Sequence, residues 1–341
     1  MARRVKDRAT MKDVAARAGV SIGTVSHVLN RTASISAETS ERVRQAMEEL
    51  NYVPNAMARN MRMKTNHVIG LLIPNLTNNF HAKIASEFVN IADQNKYEVH
   101  ILGYEYSLER EKNVIYNLLE YSVGTVIIVN GWGDERYIQE LIKRGIRVIL
   151  ADRRSDLSDV VSVEFENYQA IKDAVSCLRK KGYHSVGFIS EPLNLTNLQD
   201  RFKAYQEGLA ENGYEFRENH VFISQQLCLD NVKNGYLYMK QLLRMKRKED
   251  LPEAFLASSD LLALGMLRAI SEAGYRVPGD FGIVGCDNLQ ISGYISPGLT
   301  TIMQDCGELS RELWKVIQAG NDGKRVENTV LSQKLIIRES C

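Results

Sequence analysis

The sequence predicts a small all-α head followed by an α/β body built as two doubly wound, parallel-sheet subdomains. Residues 10–64 carry only helical periodicity. From His67 onward, apolar β-branched runs alternate with amphipathic stretches of helical period, which is typical of parallel sheets covered on both faces. That alternation lasts about 270 residues, which exceeds a single core, so we expect two subdomains.

The head is predicted to contain three helices with recognisable caps. Thr10 caps the first, with Asp13 at the capping-box position, and the pair at residues 19–20 forms a tight break. Ser21 caps the second helix and Ser36 the third. Each helix carries one apolar stripe: Val14, Ala15 and Ala18; Val25, Val28 and Leu29; Val43, Met47 and Leu50.

The body is predicted from its apolar runs and from the amphipathic stretches between them. Strands are expected at residues 68–73, 99–102, 126–129, 148–150, 186–189, 255–257 and 283–286, with a strand-like stretch at 330–338. Helices are expected at residues 80–94, 113–121, 168–180 and 261–273. Ligands of such folds bind beyond the carboxyl ends of the strands.

The net charge of +1 conceals an uneven distribution of charged residues. Residues 1–64 hold 12 Lys and Arg against 6 Asp and Glu, whereas the remainder holds 31 against 36. A basic head on an acidic body indicates that only the head meets a polyanion. The five cysteines are widely spaced and form no C-x-x-C pair, so neither a disulfide framework nor a metal site is expected. We also expect no signal peptide, no membrane span and a cytoplasmic location.

Two short helices joined by a tight turn have helix-turn-helix dimensions. The motif MKDVAARAGVSIGTVSHVLN, residues 11–30, strongly resembles the head of the lac/gal repressor family, and residues 36–59 continue the match. Segments 69–75, 182–189 and 284–302 extend it through the body. The resemblance implies a DNA-binding transcriptional regulator, a repressor, whose body has the periplasmic-binding-protein-like fold.

The resemblance also implies which residues contact DNA. The second helix is the expected recognition helix, and residues 55–61 are the expected hinge helix, which enters the minor groove with Met61 as its wedge. Ile22, Gly23 and His27 face the major groove, although relatives carry larger side chains at the glycine position. The full expected set is Ser21, Ile22, Gly23, Thr24, Ser26, His27, Asn30, Asn55, Ala58, Arg59 and Met61.

Domain boundaries follow from the same resemblance. Residues 1–54 form the helix-turn-helix domain, 55–67 the hinge helix and linker, and 68–341 the effector-binding and dimerisation core. Within the core we expect two interleaved subdomains, about 68–165 with 293–323, and 166–292 with 324–341. Two hinge helices and two half-sites require a homodimer on a pseudo-palindromic operator of double-stranded DNA.

The effector site is expected in the cleft between the subdomains. The implied residues are Asn79, Phe80, Asp152, Asn167, Arg201 and Asp287. Carboxylates and a guanidinium beside an aromatic face suit a sugar or sugar derivative. Asp260 is either a cleft residue or a helix cap, and His81 faces either ligand or solvent. The far-wall aromatic of relatives falls near residues 229–230, where the chain has none.

Other classes of protein fit the sequence less well. No dinucleotide or P-loop fingerprint, no G-x-S-x-G motif and no histidine spacing typical of metal ligands supports an enzyme, so no catalytic residue or cofactor is expected. A transport solute-binding protein would lack the basic head and carry a signal peptide. A protein co-effector, the identity of the small molecule, and its action as inducer or corepressor remain open from sequence alone.

Overall fold

The computed structural model describes residues 9–30, 33–52, 67–120, 123–131, 135–228 and 231–341. The chain forms two compact units, Met1–Lys64 and Thr65–Cys341. Within the described residues, no helix is both long enough and apolar enough to cross a membrane.

The first unit contains the three predicted helices, α1 (Met11–Ala18), α2 (Ile22–Asn30) and α3 (Ala37–Glu49). The predicted caps are confirmed. Thr10 and Asp13 form a reciprocal capping box, and Ser36 Oγ accepts a hydrogen bond from the Thr39 backbone at 3.2 Å. Gly19 ends α1 in the left-handed conformation, at φ 65°, which is why the turn before α2 is so short.

The core of the first unit is small and consists of the predicted stripes. Its buried members are Val14, Ala15, Ala18, Val25, Val43 and Ala46. Val28, Leu29, Met47 and Leu50 are partly buried against them. Burying this face holds the three helices together and leaves the opposite face of α2 open.

The second unit alternates strands and helices as predicted. Its elements are β1 (Val68–Ile73), α4 (Asn79–Gln94), β2 (Glu98–Gly103), α5 (Leu108–Glu120), β3 (Thr125–Val129), α6 (Glu135–Lys143), β4 (Arg147–Ala151), β5 (Val161–Phe165), α7 (Gln169–Lys180), β6 (Val186–Ser190), α8 (Thr196–Glu211), β7 (Val221–Ile223), α9 (Asn231–Met245), β8 (Ala254–Ala257), α10 (Asp260–Glu272), β9 (Gly282–Asp287), β10 (Thr300–Met303), α11 (Cys306–Asn321), β11 (Thr329–Leu331) and β12 (Lys334–Ile336). Short 3-10 helices occupy Glu218–His220, Gln225–Leu227, Lys248–Asp250 and Gln290–Gly293.

The strands form two six-stranded sheets, each the centre of one subdomain. The first has the order β11-β5-β4-β3-β1-β2, and the second β12-β10-β9-β8-β6-β7. The described pairs are parallel, except that β12 runs antiparallel to β10. Separate apolar clusters cover each sheet, which explains why strands such as β1, β3 and β6 are buried along their whole length.

Two of the predicted subdomain segments need correction. Residues 293–323 were expected in the first subdomain, but β10 pairs in parallel with β9 and so belongs to the second sheet. Residues 324–341 were expected in the second subdomain, but β11 pairs with β5 of the first sheet and only β12 pairs with β10. The predicted strand-like stretch 330–338 is therefore divided between the two sheets. The chain therefore crosses between subdomains three times, after β5, after β10 and after β11.

Candidate functional site

Four of the predicted cleft residues, Phe80, Asp152, Arg201 and Asp287, line one cavity. Each is placed by the carboxyl end of a strand, because Asp152 follows β4, Asp287 ends β9, and α4 and α8 follow β1 and β6. Asp152 and Asp287 have φ values of 56° and 123°, a conformation that turns the chain sharply where the strand ends. The sheets thus bring together side chains that lie far apart in sequence.

Arg201 is held in the cavity wall by several hydrogen bonds. It is 4% exposed, and all three of its nitrogens donate hydrogen bonds. Nε donates to Asn167 Oδ1 at 2.7 Å, Nη1 to the Ser258 carbonyl at 2.8 Å, and Nη2 to Gln304 Oε1 at 3.1 Å. The guanidinium plane is therefore fixed before any ligand arrives.

One amide side chain from each crossover belongs to the hydrogen-bonded group around this guanidinium. Asn167 follows β5, Gln304 follows β10 and Gln333 lies between β11 and β12. Gln333 Nε2 lies 3.2 Å from both Asn167 Oδ1 and Gln304 Oε1. We call these three residues the crossover amides. The crossover amides lie on the three segments that connect the subdomains. Arg201 is therefore hydrogen-bonded directly to two of these connections, through Asn167 and Gln304, and indirectly to the third, through Gln333.

The two carboxylates are buried and hydrogen-bonded. Asn197 Nδ2 donates to Asp152 Oδ2 at 3.0 Å, and Gln304 Nε2 donates to Asp287 Oδ1 at 2.8 Å. Burial raises the pKa of Asp152 to about 6, although Arg201 opposes the shift. Burial also raises the pKa of Asp287, with the nearby Asp260 adding to the effect and Arg201 opposing it. Both are strong hydrogen-bond partners for ligand hydroxyl groups.

His81 lies in the wall of the cavity and is buried rather than facing solvent. Its Nε2 is 3.3 Å from Asn130 Nδ2. Burial lowers the pKa of His81 to about 4, so the imidazole is neutral at pH 7.

The remaining predicted residues lie elsewhere. Asn79 is exposed at the start of α4 and lines neighbouring depressions instead of the cavity that contains Arg201. Asn167 is buried behind Arg201, so it positions the guanidinium. Asp260 is not the cap of α10, because Ser259 fills that position. Its carboxylate instead accepts hydrogen bonds from the Leu289 amide, Ser292 Oγ and Thr301 Oγ1.

Sequence reasoning missed several residues of the cavity wall. Tyr106, Asn130, Glu191 and Gln304 all line it. They follow β2, β3, β6 and β10, at the carboxyl end of each strand. The rule that ligands bind at those ends would have identified the first three, whereas β10 was not predicted as a strand.

In the first unit, the exposed residues of α2 are those expected to read DNA. Ile22 is 46% exposed, and Gly23 and His27 are exposed beside it. Ser21 Oγ accepts a hydrogen bond from the Thr24 backbone at 3.0 Å and so caps α2, while Thr24 and Ser26 are half-buried. Asn30 ends α2. The predicted hinge residues Asn55, Ala58, Arg59 and Met61 lie outside the described residues.

A helix-turn-helix unit and a two-subdomain body with a polar cleft define a ligand-responsive DNA-binding regulator. Family models agree with both parts. Residues 10–55 match the bacterial regulatory proteins of the lacI family, and residues 175–341 match the periplasmic binding protein-like domain.

Whole-length relatives show the same family. The PurR transcriptional repressor of Mannheimia succiniciproducens is 30% identical over 97% of this chain and 98% of its own length. Catabolite control protein A of Priestia megaterium is 27% identical over the same shares. The lac repressor dimer bound to operator and the anti-inducer ONPF superposes with a TM-score of 0.82 at 28% identity, covering 98% of this chain and 99% of that one.

The chain belongs to the LacI family of bacterial regulatory proteins, and the predicted resemblance is confirmed. It is a transcriptional regulator with an N-terminal DNA-binding domain and a ligand-binding core.

Proposed function

We propose that this chain is a homodimeric repressor whose affinity for a pseudo-palindromic operator is set by a small polyhydroxylated molecule in the cleft. The observation that carries the proposal is the buried guanidinium of Arg201 beside Asp152, Asp287 and the Phe80 ring. Paired hydroxyls suit the charged groups, and the C–H surface of a sugar suits the ring. The structure of a CelR regulator in complex with cellobiose, similar over 98% of this chain with a TM-score of 0.72 at 26% identity, supports this class of ligand.

The cleft can act as a switch because its walls belong to different subdomains. Phe80 and Asp152 belong to the subdomain of the first sheet, where they follow β1 and β4. Arg201 and Asp287 belong to the subdomain of the second sheet, on α8 after β6 and at the end of β9. A ligand that contacts both walls shifts the equilibrium between two relative orientations of the subdomains. The size of the shift equals the difference between the ligand's binding free energies for the two orientations. Such coupling is typically worth about 1–3 kcal/mol and is reciprocal between effector and operator.

On DNA, α2 is proposed to enter the major groove with Ile22 and His27 toward the bases, while Thr24, Ser26 and Asn30 hold phosphates. The hinge residues Asn55, Ala58, Arg59 and Met61 are proposed to bind the minor groove, where Met61 wedges between base steps. Binding and release of DNA require no catalytic residue, so we propose that the chain is not an enzyme and that it acts in the cytoplasm, where the DNA lies.

The DNA half of the proposal is tested by selecting operator sequences from random duplexes with the full chain. We expect a two-fold symmetric consensus, and an affinity that falls with salt by about 0.9 log units per neutralised phosphate. His27→Ala should relax preference at one or two base pairs of each half-site. Equal loss on consensus and random DNA would show that His27 contacts only phosphate.

The effector half is tested by thermal-shift screening of sugars, amino sugars, sugar phosphates and purines against the full chain. A binder raises the melting temperature by mass action. Asp287→Asn, which keeps an acceptor for Gln304 but removes the charge, should abolish the shift. A ligand that stabilises wild type and this variant equally binds outside the cleft.

A further inference from the structure

We infer that the effector is a sugar ring rich in hydrogen-bond donors, either neutral or amine-bearing, and that a subsite formed by Tyr106 and Glu191 excludes phosphorylated and carboxylated sugars. This inference rests on the proposed function and names the ligand class of the same cleft.

Tyr106 is held in the cleft by an unusual piece of backbone. It and Glu105 adopt successive left-handed conformations after β2, with φ values of 50° and 47°. For residues other than glycine this costs on the order of 1 kcal/mol each, and such strain concentrates at ligand sites. The Asn78 side chain lies near the phenol and opposes the larger effect of burial, which raises the pKa of Tyr106, and the ring centroid lies 6.2 Å from that of His81. The ring is therefore a fixed wall.

The wall around Tyr106 is aromatic and aliphatic. Tyr106 and Tyr104 line one cavity together with three apolar side chains, Pro192, Leu195 and Leu198. Aromatic and aliphatic walls contact the C–H faces of a sugar ring, which a flat polar wall would not. The shape of the subsite thus favours a ring over an extended polar chain.

The charge of the cleft excludes anions. Among the described residues that line it, the carboxylates are Asp152, Glu191 and Asp287, and the cation is Arg201. That guanidinium already donates to three protein acceptors. A phosphate would meet an excess of negative charge in a poorly solvated site, where repulsion is weakly screened.

The second buried arginine nearby does not reverse this balance. Arg153 is 4% exposed and packs against Gly131. A Cβ added to Gly131 would lie 2.9 Å from Arg153 Nη1 and 3.0 Å from Glu111 Oε1, so the two side chains lie on the same side of this glycine. Glu111 and Glu135 both act on its charge. The positive charge of Arg153 is therefore compensated by the carboxylates of Glu111 and Glu135.

Glu191 is the acceptor that a donor group of the ligand would meet. One of its oxygens, Oε2, accepts a hydrogen bond from Ser258 Oγ at 2.5 Å, which orients the carboxylate in the cleft. Glu191 also raises the pKa of Tyr106, after the larger effect of burial, so the two groups are close. A hydroxyl or ammonium group of the ligand beside Glu191 would donate to a carboxylate that Ser258 already orients in the cleft.

The test is calorimetric titration of the full chain with matched sets of hexoses. Each set contains the free sugar, its 2-amino-2-deoxy form, its 6-phosphate and its uronic acid, in the gluco, galacto and manno series. We expect binding in a neutral or amine arm, with the matching phosphate and uronic acid at least tenfold weaker. A 6-phosphate or uronic acid that binds more tightly than its parent sugar overturns the inference.

Variants separate the subsite from general damage. Tyr106→Leu keeps apolar volume but loses the flat ring, and should weaken the best ligand about tenfold or more. Glu191→Gln should weaken an amino sugar about tenfold and narrow the discrimination against its phosphate, whereas the exposed control Glu215→Gln should change neither. Circular dichroism confirms folding of each variant. Wild-type affinity in Tyr106→Leu, or unchanged discrimination in Glu191→Gln, refutes the subsite.

The outcomes also distinguish this inference from the proposed function. If a purine or another non-sugar binds, and Asp287→Asn abolishes its binding, the inference fails while the chain remains an effector-controlled regulator. If no compound of any class binds the cleft while the operator is still recognised, effector control itself is wrong.

Discussion

Replacing Arg201 with alanine should destabilise the folded body as well as weaken ligand binding. The side chain is 4% exposed and bonds to Asn167, the Ser258 carbonyl and Gln304. It is also the cation that opposes the raised pKa values of Asp152 and Asp287. Its removal therefore leaves the Ser258 carbonyl without this donor, leaves the Asn167 and Gln304 oxygens with Gln333 Nε2 alone, and leaves two buried carboxylates without their counter-charge.

The magnitude follows from those losses. A buried acceptor left without a donor costs about 1–3 kcal/mol, and removing one partner of a buried charge pair costs about 3–5 kcal/mol. These costs overlap, because protonation of the carboxylates relieves part of the second. We expect Arg201→Ala to lower the free energy of unfolding by about 3–5 kcal/mol at pH 7. Arg201→Lys, which keeps the charge but loses the planar fork, should lose about half as much.

The assay is urea unfolding of the full chain followed by tryptophan fluorescence, to which Trp314, buried in the core of the first subdomain, contributes together with Trp132. The control is Lys203→Ala on the same helix, α8. Its side chain is 68% exposed and its ion pair with Glu207 is 4.0 Å long, so its effect should stay within about 0.5 kcal/mol.

Equal unfolding midpoints for Arg201→Ala and Lys203→Ala would refute the structural role of Arg201. If the role is correct, loss of effector response in Arg201→Ala cannot be interpreted as loss of a ligand contact. Asp287→Asn is the better effector-blind variant, because an amide at that position retains an acceptor for Gln304 Nε2.

Three further results are expected. Burial raises the pKa of Asp152 to about 6, so the stability that protonation of this carboxyl contributes is fully present below about pH 4 and is lost as the pH rises through 6. In urea unfolding, the free energy of unfolding of Asp152→Asn relative to wild type should therefore increase by about 2–3 kcal/mol between pH 4 and pH 8. A difference that does not change with pH would contradict this. A Cβ on Gly265 would lie 2.1 Å from the Val232 carbonyl oxygen, so Gly265→Ala should cost at least about 2 kcal/mol in the same assay, whereas Gly103→Ala, with open space around it, should cost under about 1 kcal/mol. A Cβ on Gly23 has its nearest neighbour at 3.5 Å, so Gly23→Ala should stabilise α2 by about 0.5–1 kcal/mol in thermal unfolding of the head, and a loss of stability would show that the space is taken.

Much of the fold was predictable because local signals and burial agreed. The capping residues Thr10, Ser21 and Ser36 each begin a helix at the expected place. Most of the predicted strands, such as β1, β3 and β6, are buried along their whole length, and their continuous apolar runs stand out against their surroundings. The edge strand β7 was missed because three residues of mixed burial give no periodic signal. The inner strands β5 and β10 were also missed, because polar residues such as Ser162, Glu164 and Thr300 interrupt their apolar runs.

The candidate site was less predictable, because it depends on contacts between remote segments. Phe80, Asp152, Arg201 and Asp287 were identified through the family resemblance, and the structure brings them together. Nothing local to residues 167, 304 and 333 indicates that their amides contact one another around one guanidinium. Tyr106 was also missed, since its place in the wall depends on a left-handed turn that neither composition nor periodicity records.

Contacts of helix α8 indicate that salt should affect effector affinity much less than operator affinity. Asp200 forms a bidentate pair with Arg154 across the subdomains, at 2.6 and 3.0 Å, but both side chains are partly exposed, so salt screens this pair. One residue further on, the buried Arg201 bonds to two of the crossover amides, Asn167 and Gln304, and those bonds are screened far less. Effector affinity should therefore change less than about threefold between 50 and 200 mM salt, while operator affinity falls about a thousandfold or more. Calorimetry and operator-binding titrations in the same buffers measure both. A parallel fall in effector affinity would mean that exposed pairs such as Arg154 with Asp200, instead of the buried bonds of Arg201, hold the cleft together.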